Sequence, residues 1–268
     1  MAAHPHSNTL SDDDADDAGP VRGDNAPMAG LLSLERHEDV AVVTLQRPEK
    51  RNALSIDLRV EIAESFGALG EDTEVGAIVL TGAPPAFCSG IDTTQFGGDR
   101  PHRERLVQTS VDCFSAVARC PHPVVAAVNG PALAGGFALA LFSDLRIASE
   151  DASFGFPERP QGIPPSYAAA RMALPTAVAT ELVLTGRTMD AFGALKLGIV
   201  SAVHSADELM PRALELAGRI ASGPRSAVTE TKRRILADRE STFGHLFDAE
   251  EEALRAALLG DDEPDGAA

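Results

Sequence analysis

The sequence predicts an α/β fold in which a strand-rich half precedes a helical half. Short β-branched runs alternate with helical periodicity as far as residue 148, the pattern of strand, crossover helix and parallel strand. Each run is too short to be a helix. From Pro165 onward the apolar residues recur at helical spacing. A chain of 268 residues, 44% of them hydrophobic, is long enough to bury a substantial core.

The elements follow in order. Leu31 to Arg36 and Val40 to Leu45 flank His37-Glu38-Asp39, a loop of hairpin length and polarity. From Ile56 to Leu69 the residues Ile56, Val60, Ile62, Ala63, Phe66 and Leu69 repeat at helical spacing, with Ser55 placed to cap and Gly70 to stop. Val75 to Thr81 and Val124 to Val128 read as buried parallel strands joined by a helix over Arg103 to Arg119. Gly135 to Phe142 is a helix of small residues, and Leu145 to Ala148 a third short strand. Helices are then expected at Tyr167 to Leu174, Val178 to Leu184, Ala191 to Leu195, Asp207 to Ala221, Ser226 to Asp238 and Thr242 to Leu259. No internal repeat is present.

Composition narrows the function. No run of about 18 apolar residues occurs, so no membrane-spanning helix and no membrane partner are expected. The first 28 residues carry six Asp against one Arg and almost no large apolar side chain, which marks a disordered acidic tail. That stretch lacks the basic start and apolar centre of a signal peptide and is too acidic for a mitochondrial transit peptide, so a cytoplasmic location is expected. Of the net charge of −17, residues 1–28 carry −5 and residues 249–268 carry −6. Such a surface repels phosphates, and nucleic acid is not an expected partner. Cys88, Cys113 and Cys120 form no CxxC pair and read as reduced, buried small residues; with the scattered His they give no metal site.

Two loops are candidates for chemistry. Gly82-Ala-Pro-Pro-Ala-Phe-Cys-Ser-Gly-Ile-Asp92 follows a buried strand with a loop that cannot continue regular structure. In Asn129-Gly-Pro-Ala-Leu-Ala-Gly-Gly136 a strand ends and Gly135-Gly136 opens a helix whose first N–H groups have no intrahelical partner. Two convergent N–H donors would make an oxyanion hole. Either loop alone means little, since Gly-Gly at a helix start is common.

Together with Arg47-Pro-Glu-Lys-Arg-Asn-Ala-Leu-Ser55 before them and Phe154-Gly-Phe-Pro-Glu158 after them, the two loops resemble the crotonase (enoyl-CoA hydratase/isomerase) superfamily in order and spacing. The resemblance runs from about Leu31 to the last helix. It implies a spiral of ββα turns over residues 29–200 and a helical trimerisation region over 201–260, followed by an acidic tail at 261–268. It further implies a homotrimer or hexamer and an acyl-CoA thioester substrate, with no separate cofactor because coenzyme A arrives on the substrate. The N–H groups of Ile91 and Gly135 match the two oxyanion donors. Ser89, Gly90 and Asp92 would line the same turn, Ser89 with its carbonyl near the CoA adenine; for Asp92 a turn-holding role is the alternative. Lys50 and Arg51, with Ala53 just beyond, match a basic loop near the CoA phosphates. Lys232, Arg233 and Arg234 either assist there or are solvated charges.

One departure bears on the reaction. Many hydratases of the superfamily carry two glutamates, but only the one matched by Glu158 is present, and the other position is Ala138. Adding water across a conjugated double bond is most easily shared by two carboxylates. Moving a double bond needs one group that takes a proton from C2 and returns it at C4. An isomerase-like enzyme using Glu158 is therefore favoured over a hydratase using Glu158 alone or a non-catalytic acyl-CoA-binding protein. From its local sequence Glu158 would be an exposed turn residue paired with Arg159; the matched context makes it the catalytic carboxylate. Asp144 is expected to be structural, near a helix end, and Tyr167 to be core or pocket wall.

Overall fold

The computed structural model describes residues 30–260; the two expected acidic tails lie outside the described residues. The opening hairpin is β1 (Leu32–His37) and β2 (Val40–Leu45), antiparallel with Leu32 opposite Leu45. Helix α1 (Ile56–Glu71) then leads to β3 (Ala77–Gly82) and α2 (Arg100–Ala118) to β4 (Val124–Val128). The Ser55 hydroxyl caps α1, accepting from Leu58 N–H at 3.2 Å. Gly70 falls inside the last turn rather than ending the helix. Helix α2 begins three residues earlier than expected because Asp99 caps it, accepting from His102 N–H.

After β4 come β5 (Ala132–Leu133), α3 (Gly135–Phe142), β6 (Leu145–Ser149) and β7 (Ser153–Gly155). The later half holds α4 (Tyr167–Ala173), α5 (Thr176–Thr185), β8 (Thr188–Asp190), α6 (Ala191–Lys196), β9 (Val203–His204), α7 (Ala206–Ala221) and α8 (Arg225–Leu259). One sheet has the order β1-β2-β3-β4-β6-β9, parallel from β2 onward, and a second has the order β5-β7-β8. The second sheet escaped the sequence reading because its strands of two or three residues show no period.

The parallel strands β2, β3 and β4 of the main sheet are buried on both faces, as the interior of a parallel sheet must be, while the antiparallel edge strand β1 is largely exposed. Alternate residues Ala41, Val43, Leu45, Ile78, Leu80, Val124 and Ala126 join α1, α2 and α3 in the larger core. The intervening Val40, Val42, Val79, Val125, Ala127 and Ile147 pack on α7 through Leu209, Ala213, Ala217 and Ala221. Each fully buried Val, Leu or Ile contributes roughly 1.5–3 kcal/mol of transfer free energy. The small residues of α7 set a close approach: a Cβ on Gly76 would lie 2.6 Å from the Cβ of Ala221.

Two expectations need correction. The boundary at residue 200 is not a break, because β9 pairs with β6 and α7 seals the sheet's outer face. The two helices expected over Ser226 to Asp238 and Thr242 to Leu259 are one helix, α8. Nothing in Arg239-Glu240-Ser241 interrupts the backbone ladder, since neither Gly nor Pro occurs there.

Lys232 is neither a solvated charge nor a phosphate ligand. It is 2% exposed, with Nζ 2.6 and 2.8 Å from the two carboxylate oxygens of Asp144. Asp144, just past α3, also accepts from Val124 N–H at 2.7 Å and pairs with Arg239 at 3.1 Å, so it pins α8 to the start of β4. Arg233 and Arg234 are exposed and pair with Glu230 on their own helix. Asp144→Ala would strand Lys232 unpaired in the interior and is expected to lower the unfolding free energy by about 3–5 kcal/mol, measured by urea denaturation.

Candidate active site

The loop from Gly82 to Asp92 is shaped by Asn52. This side chain is fully buried; its amide donates to the carbonyls of Ala83 (2.8 Å), Ala86 (2.7 Å) and Phe87 (3.2 Å), and its Oδ1 accepts from Arg47 N–H at 2.9 Å. Arg51 and Asn52 both have positive φ, 51° and 53°, and Asn is the side chain that tolerates this conformation best after Gly. Asn52 lies in the motif that carried the resemblance, yet its organising role was not read from the sequence. The adjoining Arg-Asn pair before a helix cap was the available signal.

The loop is then joined to the second candidate loop by backbone. Cys88 N–H donates to Pro131 C=O at 3.1 Å, and Leu133 N–H to Cys88 C=O at 3.0 Å, a parallel bridge between Cys88 and Ala132. A second bridge links Leu54 with Ile91: Leu54 N–H donates to Gly90 C=O and Asp92 N–H to Leu54 C=O. Contact is so close that a Cβ on Gly136 would lie 2.1 Å from the Cys88 carbonyl oxygen. Gly90, with φ +97°, would carry its Cβ to 3.1 Å from Gly135 N.

Ile91 and Gly135 are thus brought together. A Cβ on Gly135 would sit 3.6 Å from Ile91 Cγ1. Among the described residues, neither the Ile91 nor the Gly135 N–H has a hydrogen-bond acceptor, although those on either side of Ile91 do. Ala134, between β5 and α3, is held at φ 51° and ψ −126°. A non-glycine residue there costs of order 1–3 kcal/mol, and such backbone concentrates at functional sites. Its effect is to turn the chain so that α3 starts beside Ile91.

Both residues line a cavity of about 500 Å³, the size of a small-molecule site. Glu158 and Tyr167 line it too, so Tyr167 is pocket wall. Glu158 follows β7, and β7 is fixed to the turn before α3 because Ala134 N–H donates to Gly155 C=O at 2.9 Å. The side chain is half-buried, and among the described residues its Oε2 is buried with no hydrogen-bond partner. Burial pushes the carboxyl from 4.5 up to about 7, opposed only by its own backbone N–H. Ala138 is fully buried on α3 and lines the same cavity. The position that the resemblance matches to a second glutamate therefore presents a methyl group.

The remaining expected residues divide. Ser89 lines the cavity; its N–H donates to Arg51 C=O at 3.0 Å and its hydroxyl to Lys50 C=O at 3.4 Å, which sets the exposed Lys50 and Arg51 at that rim. Gly90 is the close-approach residue described above. Asp92 is buried and turned inward: Arg47 pairs with it at 3.1 Å, and Thr94 donates to it from both backbone and hydroxyl. These hydrogen bonds hold its carboxylate below the usual range against the opposing burial. The turn-holding alternative is the one this geometry supports, in place of direct substrate contact. Ala53 is also buried, and its carbonyl accepts from Arg47 Nη1, so it offers backbone support rather than an open surface.

Sequence reading missed the apolar wall. Phe114 on α2, Phe142 on α3 and Phe247 on α8 form a row of rings, the first pair tilted at a centroid distance of 5.9 Å and the second stacked at 5.4 Å. They line the cavity with Leu246 and Leu254 of α8. Each is an ordinary core residue in its own helix pattern, so no local signal marked them. Among the described residues no group of three or more His, Cys, Asp or Glu could hold a metal ion, and no helix is long and apolar enough to cross a membrane.

Comparison with known proteins agrees with this architecture. The sequence pattern of the family described as enoyl-CoA hydratase/isomerase matches residues 35–263. A probable enoyl-CoA hydratase of Mycobacterium leprae is 35% identical over 248 residues, covering 88% of this chain and 93% of that protein. One from Rhizobium meliloti is 35% identical over 240 residues, with the same coverage. The crystal structure of an enoyl-CoA hydratase from Mycobacterium avium subsp. paratuberculosis superposes with a TM-score of 0.78 at 30% identity, covering 90% of this chain and 97% of that one. An enoyl-CoA hydratase/isomerase from Xanthobacter autotrophicus gives 0.77 at 33% identity, covering 86% and 87%. With its crotonase-like fold and a sequence match over nearly all the described residues, this chain belongs to the enoyl-CoA hydratase/isomerase family.

Proposed function

We propose that this enzyme moves a double bond in an enoyl-CoA thioester, using Glu158 as its single proton carrier. The observation that carries this reading is Ala138, a methyl group in the cavity where a second carboxylate would stand. The thioester oxygen sits between the N–H groups of Ile91 and Gly135. The ionised Glu158 takes a proton from C2 of a 3-enoyl-CoA, and the electron pair moves onto the oxygen to give a dienolate held by the two donors. The protonated Glu158 then returns the proton at C4; the carbonyl re-forms and the double bond lies between C2 and C3. No atom is gained or lost.

The unpaired Oε2 of Glu158 is suited to this task, since a base with a pKa near the working pH combines availability with driving force. The aromatic wall supports an apolar acyl chain as the substrate class. Hydration is the second reading, favoured by the names of the relatives; water would then be activated and C2 protonated through Glu158 alone. Exposed Leu184, Phe192 and Leu195 on α5 and α6 support association of copies into the trimer or hexamer implied by the family.

The deciding assay offers a 3-enoyl-CoA and follows the absorbance of the conjugated thioester. Formation of that product is expected, and its absence overturns isomerisation. Loss of conjugation from a 2-enoyl-CoA with a 3-hydroxyacyl product would establish hydration instead.

Glu158→Gln is expected to lower kcat by about 10²–10⁴-fold; full turnover by this variant would exclude Glu158 as the proton carrier. Because the ionised form is the base, kcat/KM of the unmodified enzyme should rise with pH and level off above about 7. Stability runs the other way. Between 4.5 and about 7 the folded state binds more protons at Glu158 than the unfolded chain does, so the burial of this group makes stability fall as pH rises through that window. Glu158→Gln should accordingly raise Tm relative to the unmodified enzyme at pH 8 more than at pH 4, by scanning calorimetry.

A further inference from the structure

A second carboxyl group of the cavity is left unused by this chemistry. Glu250 is carried by α8, which lies along the cavity with Leu246, Phe247 and Leu254. Its Oε2 accepts from the Ser166 hydroxyl at 2.9 Å, and its Oε1 from the backbone N–H of Ala168. Ser166 is the cap of α4, its oxygen accepting from Ala169 N–H at 3.2 Å while its proton goes to Glu250. The first N–H groups of a helix have no intrahelical acceptor. The carboxylate from α8 therefore completes the cap of α4, and Ser166, Tyr167 and Ala168 all line the cavity beside it.

The loop between β7 and α4 begins just before Glu158 and ends at Ser166. Its first end is fixed by Ala134 N–H on Gly155 C=O. Within it, Gln161 N–H donates to Glu158 C=O at 2.9 Å. Its second end is fixed by Glu250.

We propose that Glu250 is a positioning residue for Glu158: by clamping α8 to the start of α4 it fixes the far end of the loop that carries the catalytic carboxylate and seats the apolar wall over the substrate. Both of its oxygens already accept hydrogen bonds from the chain, which assigns it to holding the wall and leaves proton transfer to Glu158. Burial pushes its carboxyl up to about 7, while the Ala168 and Ser166 hydrogen bonds favour the ionised form that makes the clamp. The proposal rests on the reading of Glu158 as the proton carrier.

The test compares the unmodified enzyme with Glu250→Ala, Glu250→Gln and Ser166→Ala, each checked for folding by circular dichroism and Tm. Without substrate, hydrogen exchange of peptides spanning residues 157–168 should quicken by about tenfold or more in Glu250→Ala, a loss of local protection of the size one hydrogen-bonded clamp supplies. It should stay near the unmodified rate in Glu250→Gln, whose amide can still accept from Ala168 N–H, and fall between for Ser166→Ala. With enoyl-CoA, kcat per folded enzyme should drop about 10–100-fold in Glu250→Ala, as a small misplacement of a reacting group does, with KM little changed. Glu250→Gln should recover most of that loss. Unchanged exchange and kcat in Glu250→Ala would overturn the clamp. An equal kcat loss in Glu250→Gln with unchanged exchange would also overturn it, by assigning the carboxylate to proton transfer. If the unmodified enzyme turns over no enoyl-CoA, the Glu158 reading fails, and the exchange measurement alone decides whether Glu250 clamps the loop.

Discussion

The parallel backbone bridge between Cys88 and Ala132 is the interaction on which the site depends. It carries the loop after β3 onto the turn before α3, and so places Ile91 against Gly135. An oxyanion hole needs donors that are unpaired in the empty protein, and unpaired buried N–H groups are costly unless the surrounding backbone is satisfied. The bridge, the Leu54–Ile91 bridge and the Asn52 amide pair the neighbouring carbonyls and N–H groups. What is left over among the described residues is a pair of N–H groups without acceptors, on two residues that line the cavity. Gly90 and Gly136 are required because any side chain would meet the facing backbone or the Ala134 methyl group.

The same packing shifts the carboxyl of Glu158, the proposed proton carrier. Burial raises the pKa of the Glu158 carboxyl to about 7, and the buried Ala138 presents a methyl group to the same cavity. A buried carboxyl without a fixed partner is thermodynamically unfavourable when ionised. With its pKa raised to about 7, its ionised and protonated forms are both accessible near neutral pH. Stability given up at this position is balanced by the two-sided core, in which both faces of the main sheet are covered.

The helical half is part of the active site and of the core at once. Helix α8 is anchored by Lys232 and Arg239 on Asp144, supplies Phe247 to the aromatic wall and meets the start of α4 through Glu250. Such long-range pairings make the cavity a product of the whole chain. The charge run at Lys232 shows how far local composition can mislead: of three adjacent cations, one is nearly inaccessible and two are solvated.

The amino-acid pattern alone fixes the main sheet from β1 to β6 and the helices that cross it, because burial imposes periods of 2 and 3.6, whereas β9 of that sheet is too short to show a period. The pattern marks the two Gly-rich loops as a candidate site only through their order and spacing with the flanking motifs. It also determined that one carboxylate stands where relatives of the same superfamily often have two. It did not reveal the second sheet, whose strands are too short to carry a period, nor the unbroken α8, whose middle stretch Arg239-Glu240-Ser241 is polar and so interrupts the apolar period without breaking the helix. Asn52, Glu250 and the aromatic wall become legible only in the folded chain. Their roles depend on partners 30 to 80 residues away or more, and no local pattern encodes which buried polar group will meet which orphan donor.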